Sequence, residues 1–167
     1  MKPLLIFLVD DSPLWLKVME TQFADQTDYQ IKTFSTGEKC LKSLNEKPDM
    51  IFLDYYLNSA APKAHTGLEI LSKIKAHSPA IKVVMLSAQE GVEVALSCMK
   101  HDAFDYIVKG ETTFMRVQKS ITVFLEQKEK QQEIVLYRTV VIILSILITV
   151  PVIIALLMKI YQPDMLK

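Results

Sequence analysis

Neither sign of charge dominates this chain. Its 19 Lys and Arg balance 19 Asp and Glu over 167 residues. The balance is also local: residues 1–125 carry 14 basic against 15 acidic side chains, and residues 126–167 carry 5 against 4. No stretch is basic enough to track a phosphate backbone, which argues against a nucleic-acid partner. Cysteine is scarce. Cys40 and Cys98 fall in helical patterns and match neither a disulfide framework nor metal-ligand spacing, so they read as reduced thiols of a cytosolic domain. His65, His77 and His101 are scattered, which argues against zinc. The N-terminus does not read as a signal peptide: six apolar residues follow Met1-Lys2-Pro3 and run straight into two aspartates, a stretch shorter than export signals use.

What the chain does contain is four apolar runs that each stop on a polar residue. Leu4–Val9 ends on Asp10 and Asp11, 50–53 on Asp54, 83–86 on Ser87 and 106–108 on Lys109. Short apolar runs separated by helix-length segments read as strands of a parallel sheet buried on both faces. In such a sheet the carboxyl ends share one edge, and ligands bind in the crevice there. Three carboxylates, one hydroxyl and one ammonium therefore converge, although about a hundred residues of sequence separate the first from the last.

Between the runs the punctuation is helical. Ser12-Pro13 pairs an N-cap with proline at the first helical position, predicting a helix to about Phe23 with Leu14, Val18 and Met19 on its inner face. Residues 30–34 read as an edge strand. Ser35 and Glu38 match a capping box that opens a helix to about Asn45, stopped before Pro48. Residues 50–54 are the third strand, followed by a loop from Tyr55 to His65 containing Pro62. Thr66 and Glu69 form a second capping box, opening a helix to about His77. Residues 82–87 read as a strand, 91–100 as a helix and 105–109 as the last strand. From Thr112 a final helix carries Phe114, Val117, Ile121 and Phe124 or Leu125 along one stripe. Five strands alternating with five helices predict an α/β fold, a doubly wound five-stranded parallel sheet in the flavodoxin-like order 2-1-3-4-5.

That domain is expected to occupy residues 1–125, followed by a polar, helix-forming connector over 126–138. Residues 139–158 carry no charge and lie between Arg138 and Lys159. Twenty helical residues span roughly 30 Å, the thickness of a bilayer core. A buried core helix would have the same composition, but a domain finished by Leu125 offers no second core to receive it. The expectation is one transmembrane span over 139–159 with a tail over 160–167. Pro151, which leaves the Leu147 carbonyl without its helical donor, would be tolerated by a local kink.

Asp10, Asp11 and Asp54 crowded together repel, so a cation or a proton must accompany them. Hard oxygen ligands with few protein donors suit Mg²⁺, which keeps several waters and accepts phosphate oxygens. Lys109, opposite the carboxylates, can pair with one phosphoryl oxygen, and the Ser87 hydroxyl can donate to another. A lone Asp-Asp pair would read as a solvated turn; five such residues, all at strand ends, do not.

With the segments FLVDDSP, MIFLDYYL, TGLEIL, VVMLSA and AFDYIVKG in this order over residues 4–125, the sequence resembles the receiver domain of the two-component response-regulator family. The resemblance implies a phospho-acceptor rather than an enzyme, with self-dephosphorylation as its only catalysis. Asp54 would take a phosphoryl group from a histidine kinase or phosphotransfer protein. Asp11 would ligate Mg²⁺ directly with Asp54 and the Tyr56 backbone carbonyl, and Asp10 largely through water. Ser87 and Lys109 would bind phosphoryl oxygens, and Tyr106 matches the aromatic whose rotamer reports phosphorylation. There are departures from the family pattern. Gly110 follows Lys109 where the family has proline with a cis bond. Asp102 replaces a glycine, a substitution that the left-handed conformation at a helix end allows. The loop after Asp54 is long and lacks the usual methionine-proline. Tyr56 and Gln89 occupy positions that tune the lifetime of the phosphorylated state in the family.

Two other readings compete. A haloacid-dehalogenase-like phosphatase also builds an aspartyl phosphate on a doubly wound sheet, but needs a second acid two residues after its nucleophile, where Ser12 follows Asp10. A pseudo-receiver would serve as a membrane-tethered scaffold without phosphorylation, yet here all five chemical positions are filled. Because a helix and a candidate anchor follow the receiver, the expected output is contact with a downstream protein at the membrane, with which a homodimer is compatible. The expected location is the cell inner membrane, single-pass, with the receiver in the cytoplasm, where aspartyl phosphodonors are found. Lys128, Lys130 and Arg138 before the span and Lys159 and Lys167 after it give only a weak orienting bias.

Overall fold

The computed structural model describes residues 3–57 and 65–161, with side chains through Met158. Its elements run β1 (Leu4–Val9), α1 (Pro13–Phe23), β2 (Tyr29–Phe34), α2 (Gly37–Lys42), a 3-10 turn (Leu44–Glu46), β3 (Met50–Asp54), α3 (Gly67–His77), β4 (Lys82–Ser87), α4 (Val92–Lys100), β5 (Asp105–Val108) and α5 (Thr113–Tyr161). All four strand pairings are parallel, and the sheet order is β2-β1-β3-β4-β5, as the alternation predicts.

Continuous apolar runs become central strands because both of their faces are covered. Successive strand residues point to opposite sides, and the two sets find different partners. Leu5, Phe7, Val9, Ile51, Leu53, Val83 and Met85 pack with Cys40 of α2, Ile70, Leu71 and Ile74 of α3 and Cys98 of α4. Ile6, Leu8, Phe52, Val84 and Leu86 face the other layer, where Leu16, Met19 and Phe23 of α1 and Val117 and Ile121 of α5 are buried. The Phe23 and Phe114 rings meet edge to face, 5.2 Å between centroids.

Two local expectations are corrected. The inner stripe of α1 is Leu16, Met19 and Phe23, and Leu14 and Val18 are exposed. At 3.6 residues per turn both lie about 200° around the helix from Leu16, so burying one set turns the other to water. The N-cap of α2 is Thr36, not Ser35; its hydroxyl accepts from the Lys39 N–H at 3.3 Å. With Thr36 as the N-cap, the third helical position falls on Lys39, so Glu38 closes no capping box, and its carboxylate accepts the backbone N–H of His65 at 3.3 Å. The second capping box forms as expected: Thr66 N–H donates to Glu69 Oε2 at 2.8 Å, and Glu69 N–H donates to Thr66 Oγ1 at 3.3 Å. Asp102 takes the left-handed conformation, φ 61°, in place of a glycine. The middle of the loop after β3, including Pro62, lies outside the described residues.

Gly67 begins α3 hard against the end of β3. Its N–H donates to the Tyr55 carbonyl at 3.0 Å, and a Cβ there would lie 2.2 Å from the Asp54 carbonyl oxygen and 2.7 Å from the Tyr55 Cα. Backbone atoms cannot rotate aside. Gly67→Ala is expected to destabilise the sheet domain by ~1–3 kcal/mol, the range for overpacking, read as a lower denaturation midpoint with an unchanged denaturant slope.

The chain divides into two compact units, residues 1–121 and 122–167, with the division inside α5. The second is helical through Tyr161, and within it every side chain from 139 to 158 is exposed. Among the described residues, α5 is the one helix long and apolar enough to cross a bilayer.

Candidate functional site

Strand register assembles the site. Val9 pairs with Leu53, Asp54 with Leu86, and Ser87 with Val108. The polar residues that end the runs therefore stand side by side along the carboxyl edge: Asp10, Asp54, Ser87 and Lys109. Backbone bonds continue the ladder past the strands, from Asp10 N–H to the Phe34 carbonyl at 3.0 Å, Tyr55 N–H to Leu86 at 2.8 Å and Lys109 N–H to Ser87 at 2.8 Å. Each functional side chain thus leaves a backbone tied to a neighbouring strand.

Lys109 joins the carboxylates. Its Nζ lies 2.5 Å from Asp10 Oδ2 and 2.7 Å from Asp54 Oδ1. Asp10 is wholly buried and has both oxygens engaged, since its Oδ1 accepts the Ser12 N–H at 2.9 Å. Asp54 is buried too. Burial raises its carboxyl above the ordinary value, the hydrogen bond and charge of Lys109 pull it back, and Asp10 and Asp11 push it up again. Asp11 is half-buried, and oxygens of Asp10, Asp11 and Asp54 all lie within 4.8 Å of one another. That is a compact, all-oxygen donor set able to hold a hard metal ion.

Ser87 is buried, and its hydroxyl accepts the Gln89 N–H at 3.2 Å. Gln89 is held at two further points: its side-chain oxygen accepts the Tyr56 hydroxyl at 2.7 Å, and its carbonyl accepts the Tyr106 hydroxyl at 2.9 Å. Tyr56 and Tyr106 are thereby tied to the loop that follows Ser87. The Lys109–Gly110 bond is trans. The turn after it is closed by Thr113, whose Oγ1 accepts the Gly110 N–H at 2.6 Å and donates to the Gly110 carbonyl at 2.7 Å.

One neighbour of the site carries no sequence signal. The ring of Trp15, on the first turn of α1, sits with its centroid 5.1 Å from Lys109 Nζ. Its spacing reads as an ordinary amphipathic helix position, and only the fold, which sets the start of α1 and the end of β5 at the same carboxyl edge of the sheet, brings the two together.

Residues 6–122 match the response regulator receiver domain family. The chain belongs to that family. The nitrogen assimilation regulatory protein NtrX of Azorhizobium caulinodans is 30% identical over 105 residues, covering 62% of this chain and 22% of its own length. The response regulator DrrB of Thermotoga maritima is 28% identical with a TM-score of 0.64, covering 75% of this chain and 54% of its own. A CheY-like receiver domain protein of Methanospirillum hungatei has the same fold, with a TM-score of 0.66 at 21% identity over 77% of this chain and 99% of its own. The chain thus spans about a fifth of the length of the curated regulator NtrX.

Proposed function

We propose that this chain is a membrane-anchored receiver that accepts a phosphoryl group on Asp54 in the cytoplasm and passes the signal on by protein contact. The observation that carries this reading is the geometry of Asp54: a buried carboxylate at the sheet edge, bridged by Lys109 to Asp10, one strand away from the Ser87 hydroxyl. In the transfer, an Asp54 carboxylate oxygen forms a bond to phosphorus as the P–N bond of a phosphohistidine breaks. The electron pair returns to the departing imidazole, which takes up a proton. Lys109, already at hydrogen-bond distance, follows the charge onto the phosphoryl oxygens, and Ser87 offers a hydroxyl to another. Asp10, Asp11 and Asp54, with the Tyr56 carbonyl, are the groups that would hold Mg²⁺. When bound, the ion would neutralise charge on the carboxylates and the incoming phosphoryl group.

Labelling the full-length protein with radioactive acetyl phosphate, with Mg²⁺ or with excess chelator, tests the proposal; label that forms equally in chelator would remove the metal from it. Lys109→Ala removes no apolar core side chain and is expected to keep the sheet, at a cost in stability because the buried Asp10 and Asp54 carboxylates lose their ammonium. It should lose the phosphorylation-linked change at Tyr106, read as NMR shifts on adding beryllofluoride and Mg²⁺. Wild-type shifts in that variant would reduce Lys109 to a structural ion pair.

The second unit supports the anchor. Water-exposed apolar surface on this scale is foreign to soluble monomers, whereas a helix in lipid satisfies its backbone internally and exposes apolar side chains to lipid tails. We place the span over 139–159 and the receiver, with its kinase or phosphotransfer partner, in the cytoplasm. The downstream partner is a protein met at the membrane surface.

A further inference from the structure

The Lys109 ammonium has three N–H donors and no acceptor. Asp10 and Asp54 take two directions, at 2.5 and 2.7 Å. The Trp15 ring centroid lies 5.1 Å away, inside the roughly 6 Å reach at which an aromatic face attracts a cation. The lysine side chain is 19% exposed and the indole is half-buried, so the attraction acts where water screens it weakly. Trp15 is itself anchored. Pro13 sits at the helix start, the Trp15 N–H donates to Ser12 Oγ at 3.3 Å, and the Ser12 N–H donates to Asp10 Oδ1 at 2.9 Å. A single turn of chain thus carries both Asp10 and the indole, two of the groups beside the ammonium.

We propose that Trp15 is a positioning residue that holds the Lys109 ammonium against the Asp10–Asp54 pair, where it meets a phosphoryl group arriving on Asp54. The inference rests on the reading of Asp54 as phospho-acceptor. Lysine carries its charge on a flexible four-carbon stem. Without the ring, the ammonium loses one of the contacts that keep it from swinging toward water. The indole does not touch the transferred group; it acts through the lysine.

The test uses the full-length protein in detergent micelles. Trp15→Leu removes the aromatic face and keeps apolar bulk, while Trp15→Tyr keeps an aromatic face. The rate of label uptake from acetyl phosphate with Mg²⁺ should fall roughly two- to thirtyfold in Trp15→Leu, the span of cation–π strengths expressed as a rate ratio. Trp15→Tyr should retain most of the wild-type rate. Equal losses in the two variants, or a wild-type rate in Trp15→Leu, would overturn the proposal while leaving Asp54 as acceptor.

A second measurement needs no change at position 15. Trp15 is the only tryptophan, so its emission should shift between wild type and Lys109→Ala with no phosphodonor present. Identical spectra would overturn the contact even if Trp15→Leu failed to fold. Should the wild type take no label at all, the acceptor reading fails, and the emission comparison still decides whether indole and ammonium meet.

Discussion

Asp54→Asn should take up no label from acetyl phosphate, while the wild type labels in a Mg²⁺-dependent manner. The amide presents a neutral oxygen that is a poor nucleophile, and neither neighbour is placed to substitute for the lost carboxylate. Asp10 is wholly buried with one oxygen on the Ser12 N–H and the other on Lys109, and in the proposed site Asp11 would be taken up by the metal ion. Label persisting in Asp54→Asn at the wild-type level would put the acceptor elsewhere. The same substitution should stabilise the fold at neutral pH, because the charge it removes is desolvated and crowded by Asp10 and Asp11. The raised folded value sets the sign. The unfolded chain releases this proton at lower pH than the folded one, so the penalty is absent in acid. It grows as pH rises through the ordinary carboxylate range and levels off above the folded value. A gain of roughly 2–8 °C in the unfolding midpoint at neutral pH, what about 1 kcal/mol gives in domains of this order of size, should vanish in acid. An unchanged or lower midpoint at neutral pH would mean that Lys109 fully compensates the carboxylate.

The full-length protein should pellet with membranes and resist carbonate extraction, whereas deletion of residues 139–158 should move it to the soluble fraction. A mid-span charge tests the same point without shortening the chain. Ile148→Arg puts a cation near the bilayer centre at a cost of about 2.5–3.5 kcal/mol, which should lower the inserted fraction sharply. Extraction of the wild type by carbonate would sink the anchor. Orientation is separable from insertion. Cys40 and Cys98 are buried, and burial pushes the Cys40 thiol up to about 12, so both should be silent to a membrane-impermeant maleimide. Thr27→Cys adds an exposed thiol in the loop after α1. It should stay unlabelled in intact cells and label once they are opened. Labelling in intact cells would place the receiver on the other side.

Much of this protein was legible in one dimension. Continuous apolar runs mark strands covered on both faces, caps such as Ser12-Pro13 and Thr66/Glu69 mark helix starts, and a charge-free stretch of twenty residues marks the segment that water does not suit. These signals are local, carried by neighbours in sequence, and together they set the element order and the five polar residues that end the strands. Where two local signals competed, tertiary contacts chose. Local spacing points to Ser35 as the cap of α2, whereas the structure caps it with Thr36 and turns Glu38 to the His65 backbone. Local spacing points Leu14 and Val18 inward along with Met19, and the layer beneath α1 takes Leu16 with Met19 and Phe23 instead. The bridge of Lys109 across Asp10 and Asp54, the three bonds that bind Gln89 to Ser87, Tyr56 and Tyr106, and the Trp15 ring beside the ammonium belong wholly to the tertiary structure. They join residues up to 99 positions apart, and only parallel register, which steps each strand end against the next, brings such residues within reach of a hydrogen bond.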